Sequence, residues 1–181
     1  MSTGVRYWAA IVPSFLAVAA IALQAEWTLR AGREVLLEVR AYDPMDALSG
    51  RYLAVPLAIE RLPAERFSGP PGRSAAGERV WVRLEPGEPT WSAAEILAEP
   101  PAGAELVALR ATLVRQDPRE VWLDYELDRF FVPQEAADPT LPRGARRIVA
   151  VVRVTRDGRG ALADLLVDGE RYAAWNARQP R

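Results

Sequence analysis

Residues 7–23 carry no charged side chain, and this run limits the rest of the chain more than any other feature. As a helix rising about 1.5 Å per residue it covers about 25 Å, close to the apolar thickness of a bilayer. Extension to Trp27 takes in Gln24 and Glu26, and places Tyr7 and Trp8 at one end and Trp27 at the other, where interfacial aromatics are expected. Pro13 sits more easily in a lipid-embedded helix than in a soluble one. A buried core helix and a cleaved signal peptide, with Ala20-Ile21-Ala22 as a small-x-small cleavage pattern, are the plainer alternatives. Arg6 and the amino terminus precede the run, whereas Glu26, Arg30, Arg33 and Glu34 nearly cancel after it. That asymmetry favours the N-terminus inside and the rest of the chain outside the cytoplasm, in the periplasm of a two-membrane cell.

At Gly32, a natural helix stop, the hydrophobic period changes. Val35, Leu37, Val39 and Ala41 are apolar while Glu38, Arg40 and Tyr42 face the other way, the pattern of a half-buried strand. The alternation resumes at Leu53, Val55, Leu57 and Ile59, and Pro56 marks an edge or a bulge because it has no N–H for a central ladder. Residues 63–77 are rich in Pro, Gly, Ser and Ala and read as an exposed loop. Residues 79–84 predict a strand with Val80, Val82 and Leu84 inward. Residues 106–114, apolar on both faces apart from Arg110 and Thr112, predict a central one. Asp117-Pro118-Arg119-Glu120 then turns the chain into a partner strand at 121–125, and Pro133 halts a short extended piece at 130–132. The segments 147–155 and 160–167 flank Asp157-Gly158, a pair suited to a type I′ hairpin turn. The pattern predicts one mainly antiparallel β domain over 33–172, of about seven to nine strands in a sandwich or partly closed barrel, with a frayed tail at 173–181.

Composition removes most catalytic chemistry. The chain has no Cys and no His, and all 23 of its basic residues are arginine. There is accordingly no imidazole base, thiol nucleophile, ordinary zinc site, Schiff-base lysine or phosphate-loop lysine. Carboxylates, hydroxyls, tyrosine and arginine remain. A net charge of −1 argues against nucleic acid as a partner, since that needs a clustered basic excess.

The segment 43–57 joins the first two alternating stretches through a knot of turn residues. Asp43 before Pro44 suits an Asx turn, Asp46 caps the next turn, and Gly50 supplies freedom of φ before the strand. With Asp-Pro-x-Asp at Asp43, Pro44 and Asp46, then Gly50 and Tyr52, and downstream Tyr125 followed by Phe131-Val132-Pro133, the chain resembles the GDYXXLXY family. The closing hairpin around Asp157-Gly158 is a third point of likeness. Arg51 stands where that family has its acid, Val55 where it has the motif leucine, and Leu57 where it has the final tyrosine. The resemblance implies a bacterial protein with one membrane anchor, here 1–32 and retained, and a small β-rich domain of unestablished activity. It implies an extended Thr90 to Leu97, although Ser92 with Glu95 also passes for a capping box opening a short helix at 93–98. It further implies a partner in the envelope, a polytopic membrane protein by expectation, with lipid met through the N-terminal helix.

The leading expectation is therefore a single-pass, membrane-anchored extracytoplasmic binding or assembly protein, with no catalytic residue, cofactor or metal assigned. The alternative is an envelope hydrolase or metal-dependent enzyme using Asp43, Asp46 and Glu126, with Asp128 as a further oxygen donor for Mg²⁺ or Ca²⁺. A third reading is a lipid carrier freed by signal cleavage. A comparison with signal peptidases fails on chemistry, because Ala41 and Tyr42 occupy the serine's place and no lysine exists. Phe130 to Pro133 with Trp122 and Tyr125 make an aromatic group that suits either a core or a binding groove.

Overall fold

The computed structural model describes residues 11–13, 15–16, 19–20, 23, 26–40, 52–68, 75–103, 105–127, 129–131 and 147–178. Residues 11–13, 15–16, 19–20, 23 and 26–31 are helical, and Gly32 ends the last segment. The Gly32 N–H donates to the Thr28 carbonyl at 3.0 Å. A β-carbon on Gly32 would lie 2.6 Å from that carbonyl oxygen and 2.9 Å from Arg153 Cβ, so a larger residue could not turn the chain into the first strand this tightly. Among the described residues no helix is long and apolar enough to cross a membrane.

Two open sheets follow, and neither closes into a barrel. The first has the order β1-β10-β11-β12, from β1 (Arg33–Glu38), β10 (Ile148–Val154), β11 (Gly160–Val167) and β12 (Glu170–Arg171). The second has the order β3-β8-β7-β5-β6-β4, from β3 (Arg61–Pro63), β4 (Phe67–Ser68), β5 (Arg79–Glu85), β6 (Ser92–Leu97), β7 (Val107–Gln116) and β8 (Glu120–Asp124). A separate two-stranded ladder joins β2 (Tyr52–Ala54) to β9 (Arg129–Phe131). All pairings are antiparallel except β4 with β6. Twelve strands are thus described where about seven to nine were expected from periodicity alone. The surplus consists of two- and three-residue strands, too short to show a period of two.

The alternation read from the sequence sets the inward faces. Val35 and Leu37 of β1, Val80 and Val82 of β5, Leu109 of β7, Val121 of β8 and Leu165 of β11 are buried in one shared core. Each such side chain contributes about 1.5–3 kcal/mol relative to exposure. β7 is central, between β8 and β5, as its two apolar faces predicted. A bulge between Leu113 and Arg115 leaves Val114 outside the ladder and turns Arg115 away from the core, opposite Trp122 on the outer face. There the Trp122 ring lies between the guanidiniums of Arg115, 3.7 Å from its centroid, and Arg61 at 5.9 Å.

Several local expectations change. The second alternating stretch is strand only at β2: after Pro56 the chain makes a 3-10 turn, Ala58–Glu60, which still buries Val55, Leu57 and Ile59. Pro56 uses its carbonyl, which accepts from the Arg40 N–H at 2.8 Å. The expected loop at 63–77 contains a 3-10 turn, Ala64–Arg66, and β4, which supplies the parallel edge. One expectation stands: Ser92 to Leu97 is strand, as the resemblance implied, and Glu95 is spent on Arg83, at 3.2 Å, and on the Ser68 hydroxyl instead of capping. The tail is not frayed at 173–177, because Tyr172–Ala177 is a helix anchored by the buried Tyr172.

The closing hairpin forms, but not through a type I′ turn. Three residues, 156–158, separate the closing pair, in which the Thr155 N–H donates to the Arg159 carbonyl at 2.9 Å; Gly158 N–H donates to the Thr155 carbonyl at 3.0 Å. Gly158 has φ +84° and Asp157 is not left-handed, so this is a type I turn followed by a left-handed glycine. The second Asp-Gly pair carries the I′ signature. Asp168 (φ +51°) and Gly169 (φ +89°) form the two-residue loop between Val167 and Glu170.

Candidate functional site

The two parts of the motif, distant in sequence, meet in space. Tyr52 pairs with Phe131, Leu53 with Phe130 and Ala54 with Arg129. The backbone leaving the knot therefore lies against the backbone of the second motif. Upstream, Val39 and Leu57 form an isolated antiparallel bridge, so the segments entering and leaving 43–57 run side by side. Asp43, Pro44, Asp46, Gly50, Arg51, Asp128, Val132 and Pro133 lie outside the described residues.

A second tie comes from Tyr125, which is buried and donates its hydroxyl proton to the Ile59 carbonyl at 3.0 Å. Ile59 sits in the 3-10 turn just beyond the motif, and that turn is closed by Glu60, whose carboxylate accepts the Leu57 N–H at 2.9 Å. Phe130 packs edge-on against Tyr172, with ring centroids 5.6 Å apart, and Tyr172 leans on Trp175 at 5.9 Å. The aromatic group read from the sequence is thus divided. Tyr125 belongs to the core, Phe130 fixes the C-terminal helix, and Trp122 lies on the outer face of the six-stranded sheet.

Burial pushes the Tyr125 phenol above the ordinary tyrosine range, and the nearby Glu60 charge adds to the effect. The unfolded chain releases this proton near pH 10 and the folded chain retains it; the contribution is whole below about pH 10 and is lost as pH rises further. No lysine is present, so no side-chain amine titrates alongside it. Tyr125→Phe is expected to cost about 1–2 kcal/mol at pH 7 by orphaning the Ile59 carbonyl, and to flatten the alkaline loss of stability. Urea unfolding at neutral pH and near pH 11 reads both; a variant as alkali-sensitive as the wild type contradicts the assignment.

Glu126 follows in the left-handed region at φ +56°, exposed, with its N–H held by Asp124 Oδ1 at 2.8 Å. Among the described residues no group of three His, Cys, Asp or Glu side chains is arranged to hold a metal ion. Sequence reasoning missed a cavity of about 370 Å³ lined by Thr28, Arg79, Arg110, Thr112, Asp124 and Glu126, with Arg159 at its wall. Its residues come from five separate segments, so no spacing announces it. The available signal was weak: arginine at outward positions of two neighbouring strands, 79 and 110.

A family model described as GDYXXLXY protein matches residues 14–165 of this chain. No curated protein and no solved structure gives a match.

Proposed function

The chain belongs to the GDYXXLXY family, and from that premise we propose that it is a membrane-anchored extracytoplasmic assembly protein whose motif ladder docks another envelope protein. The observation that carries this reading is the β2–β9 ladder. Among the described residues these strands pair only with each other and with neither of the larger sheets. Unpaired edges accept a strand from a partner through main-chain hydrogen bonds.

The anchor reading is supported by exposure in the N-terminal segment. Ile11, Phe15, Leu16 and Leu23 are helical and more than half exposed, at 55%, 73%, 61% and 70%. Apolar surface of this kind is covered by lipid or by another protein. Positive charge before the segment gives the expected orientation, with the β domain on the outer side.

The test is affinity purification from detergent-solubilised native membranes, with wild type beside a triple variant, Asp43→Ala, Asp46→Ala and Tyr52→Ala, matched by circular dichroism. A stoichiometric membrane protein that copurifies with the wild type and is absent from the folded variant is the expected result. A partner kept by the folded variant moves the docking face elsewhere, and no partner with either protein removes the assembly reading.

A further inference from the structure

We propose that the arginine-lined cavity binds a phosphate–ammonium zwitterion, the phosphoethanolamine group, with Arg79 and Arg110 on the phosphate and Asp124 and Glu126 on the ammonium. The strand register builds this arrangement. Arg79 of β5 lies opposite Thr112 of β7, which lies opposite Asp124 of β8, and Arg110 lies two residues from Thr112 on the same outward face. Arg79 and Arg110 are therefore diagonal neighbours of like charge, within reach of each other's long side chains. Among the described residues neither forms an ion pair, and neither do Asp124 and Glu126. Two cations and two anions line one cavity without neutralising one another.

A ligand bearing both charges satisfies all four. Guanidinium forks match the several oxygens of a phosphate, and a primary ammonium offers three donors to carboxylates. Arg159, at the wall, is spent on an ion pair, its Nε 2.7 Å from Asp157 Oδ2, and so leaves the phosphate to Arg79 and Arg110. The field is felt at Asp157, whose carboxyl is held below its usual range first by the Thr155 hydroxyl and then by Arg159 and Arg110. On the negative side, Glu126 occupies a left-handed conformation that costs a non-glycine residue about 1–2 kcal/mol. Strain held at a cavity wall by a neighbouring side chain, here Asp124, is a mark of functional positioning. The volume, about 370 Å³, admits a small ligand.

Thr28 also lines the cavity, and it lies five residues beyond Leu23 along the helical segment, about 7.5 Å by helix rise. If the segment is an anchor, the cavity stands at the level of lipid headgroups. Only the lipid source rests on that reading; the site does not.

The test uses the full chain in detergent micelles, titrated with phosphoethanolamine, inorganic phosphate, dihexanoyl phosphatidylethanolamine and dihexanoyl phosphatidylcholine. Saturable binding of a primary-ammonium ligand is expected, at least about tenfold tighter than phosphate or the choline lipid, which cannot donate to the carboxylates. Binding of the lipid alone assigns a membrane source, and equal binding of free phosphoethanolamine a soluble one. The double variant Arg79→Ala, Arg110→Ala is expected to bind at least about tenfold more weakly. Glu126→Gln alters only an exposed side chain and is expected to lose the preference over inorganic phosphate while still binding phosphate. No binding by the wild type, no discrimination between ethanolamine and choline lipids, or unchanged selectivity in Glu126→Gln overturns the proposal.

Discussion

Replacing Tyr172 by alanine is expected to lower the free energy of unfolding by about 3–5 kcal/mol, the range for removing a large buried aromatic. Tyr172 is 1% exposed and closes the core where β12 runs into the C-terminal helix. Its ring holds Phe130 edge-on and Trp175 alongside, so truncation opens a cavity bordered by the motif strand β9 on one side and by the helix on the other. Both neighbours are positioned by backbone, which limits how far they can collapse into the space. Tyr172→Phe keeps the ring and is expected to avoid most of this loss. Thermal unfolding of the three proteins checks this, and an alanine variant within 1 kcal/mol of wild type, roughly a surface effect, would show that the helix does not close the core.

The second large effect is expected at Gly158→Ala, with Gly169→Ala as its control. Both glycines are left-handed, at φ +84° and +89°, so alanine introduces a similar backbone strain, about 1–2 kcal/mol, at either position. They differ in surroundings. A β-carbon on Gly158 would lie 3.0 Å from Trp81 Cδ1 and 3.2 Å from the Ala108 carbonyl oxygen, whereas none within 4 Å would meet one on Gly169. Overpacking adds about 1–3 kcal/mol at Gly158 only. The Gly158 carbonyl also accepts the Arg110 N–H at 2.7 Å, fastening the β10–β11 hairpin to the edge of β7. Equal losses for the two variants in urea unfolding would mean that the hairpin tip yields freely, and that this fastening does not couple the sheets.

What the sequence disclosed depended on how local the cause was. The alternations at 35–39 and 80–84 are local, and the buried faces followed from them directly. The Asp157-Gly158 pair did mark a hairpin, but turn type depends on how many residues separate the closing pair, which register decides and composition does not. The Asp168-Gly169 pair has the two-residue spacing and adopts the I′ conformation. The C-terminal helix was hidden for a different reason. It spans only Tyr172–Ala177 and has no side-chain cap, so its stability comes from tertiary burial of Tyr172 rather than from propensity. At Ser92 the capping pattern and the family resemblance pointed different ways, and the tertiary pairing of β6 with β5 and β4 decided for strand. The candidate cavity was least legible of all, because Thr28, Arg79, Arg110 and the Asp124–Glu126 pair come from four separate segments, and strand register is what brings Arg79, Arg110 and Asp124 together.

The pairing of β1 with β10 has a consequence for how such a chain comes into being. Residues 33–38 find their partners at 149–154, roughly 120 positions later, so the first strand made is among the last to be completed. At about 5–20 residues per second of synthesis, this interval is on the order of 6–24 seconds. Through that interval Val35 and Leu37 have no mate, and non-local pairing of this kind is slow and open to aggregation. A tether at the N-terminus would hold this waiting strand at a fixed place until its partner arrives, while the rest of the chain is still being delivered.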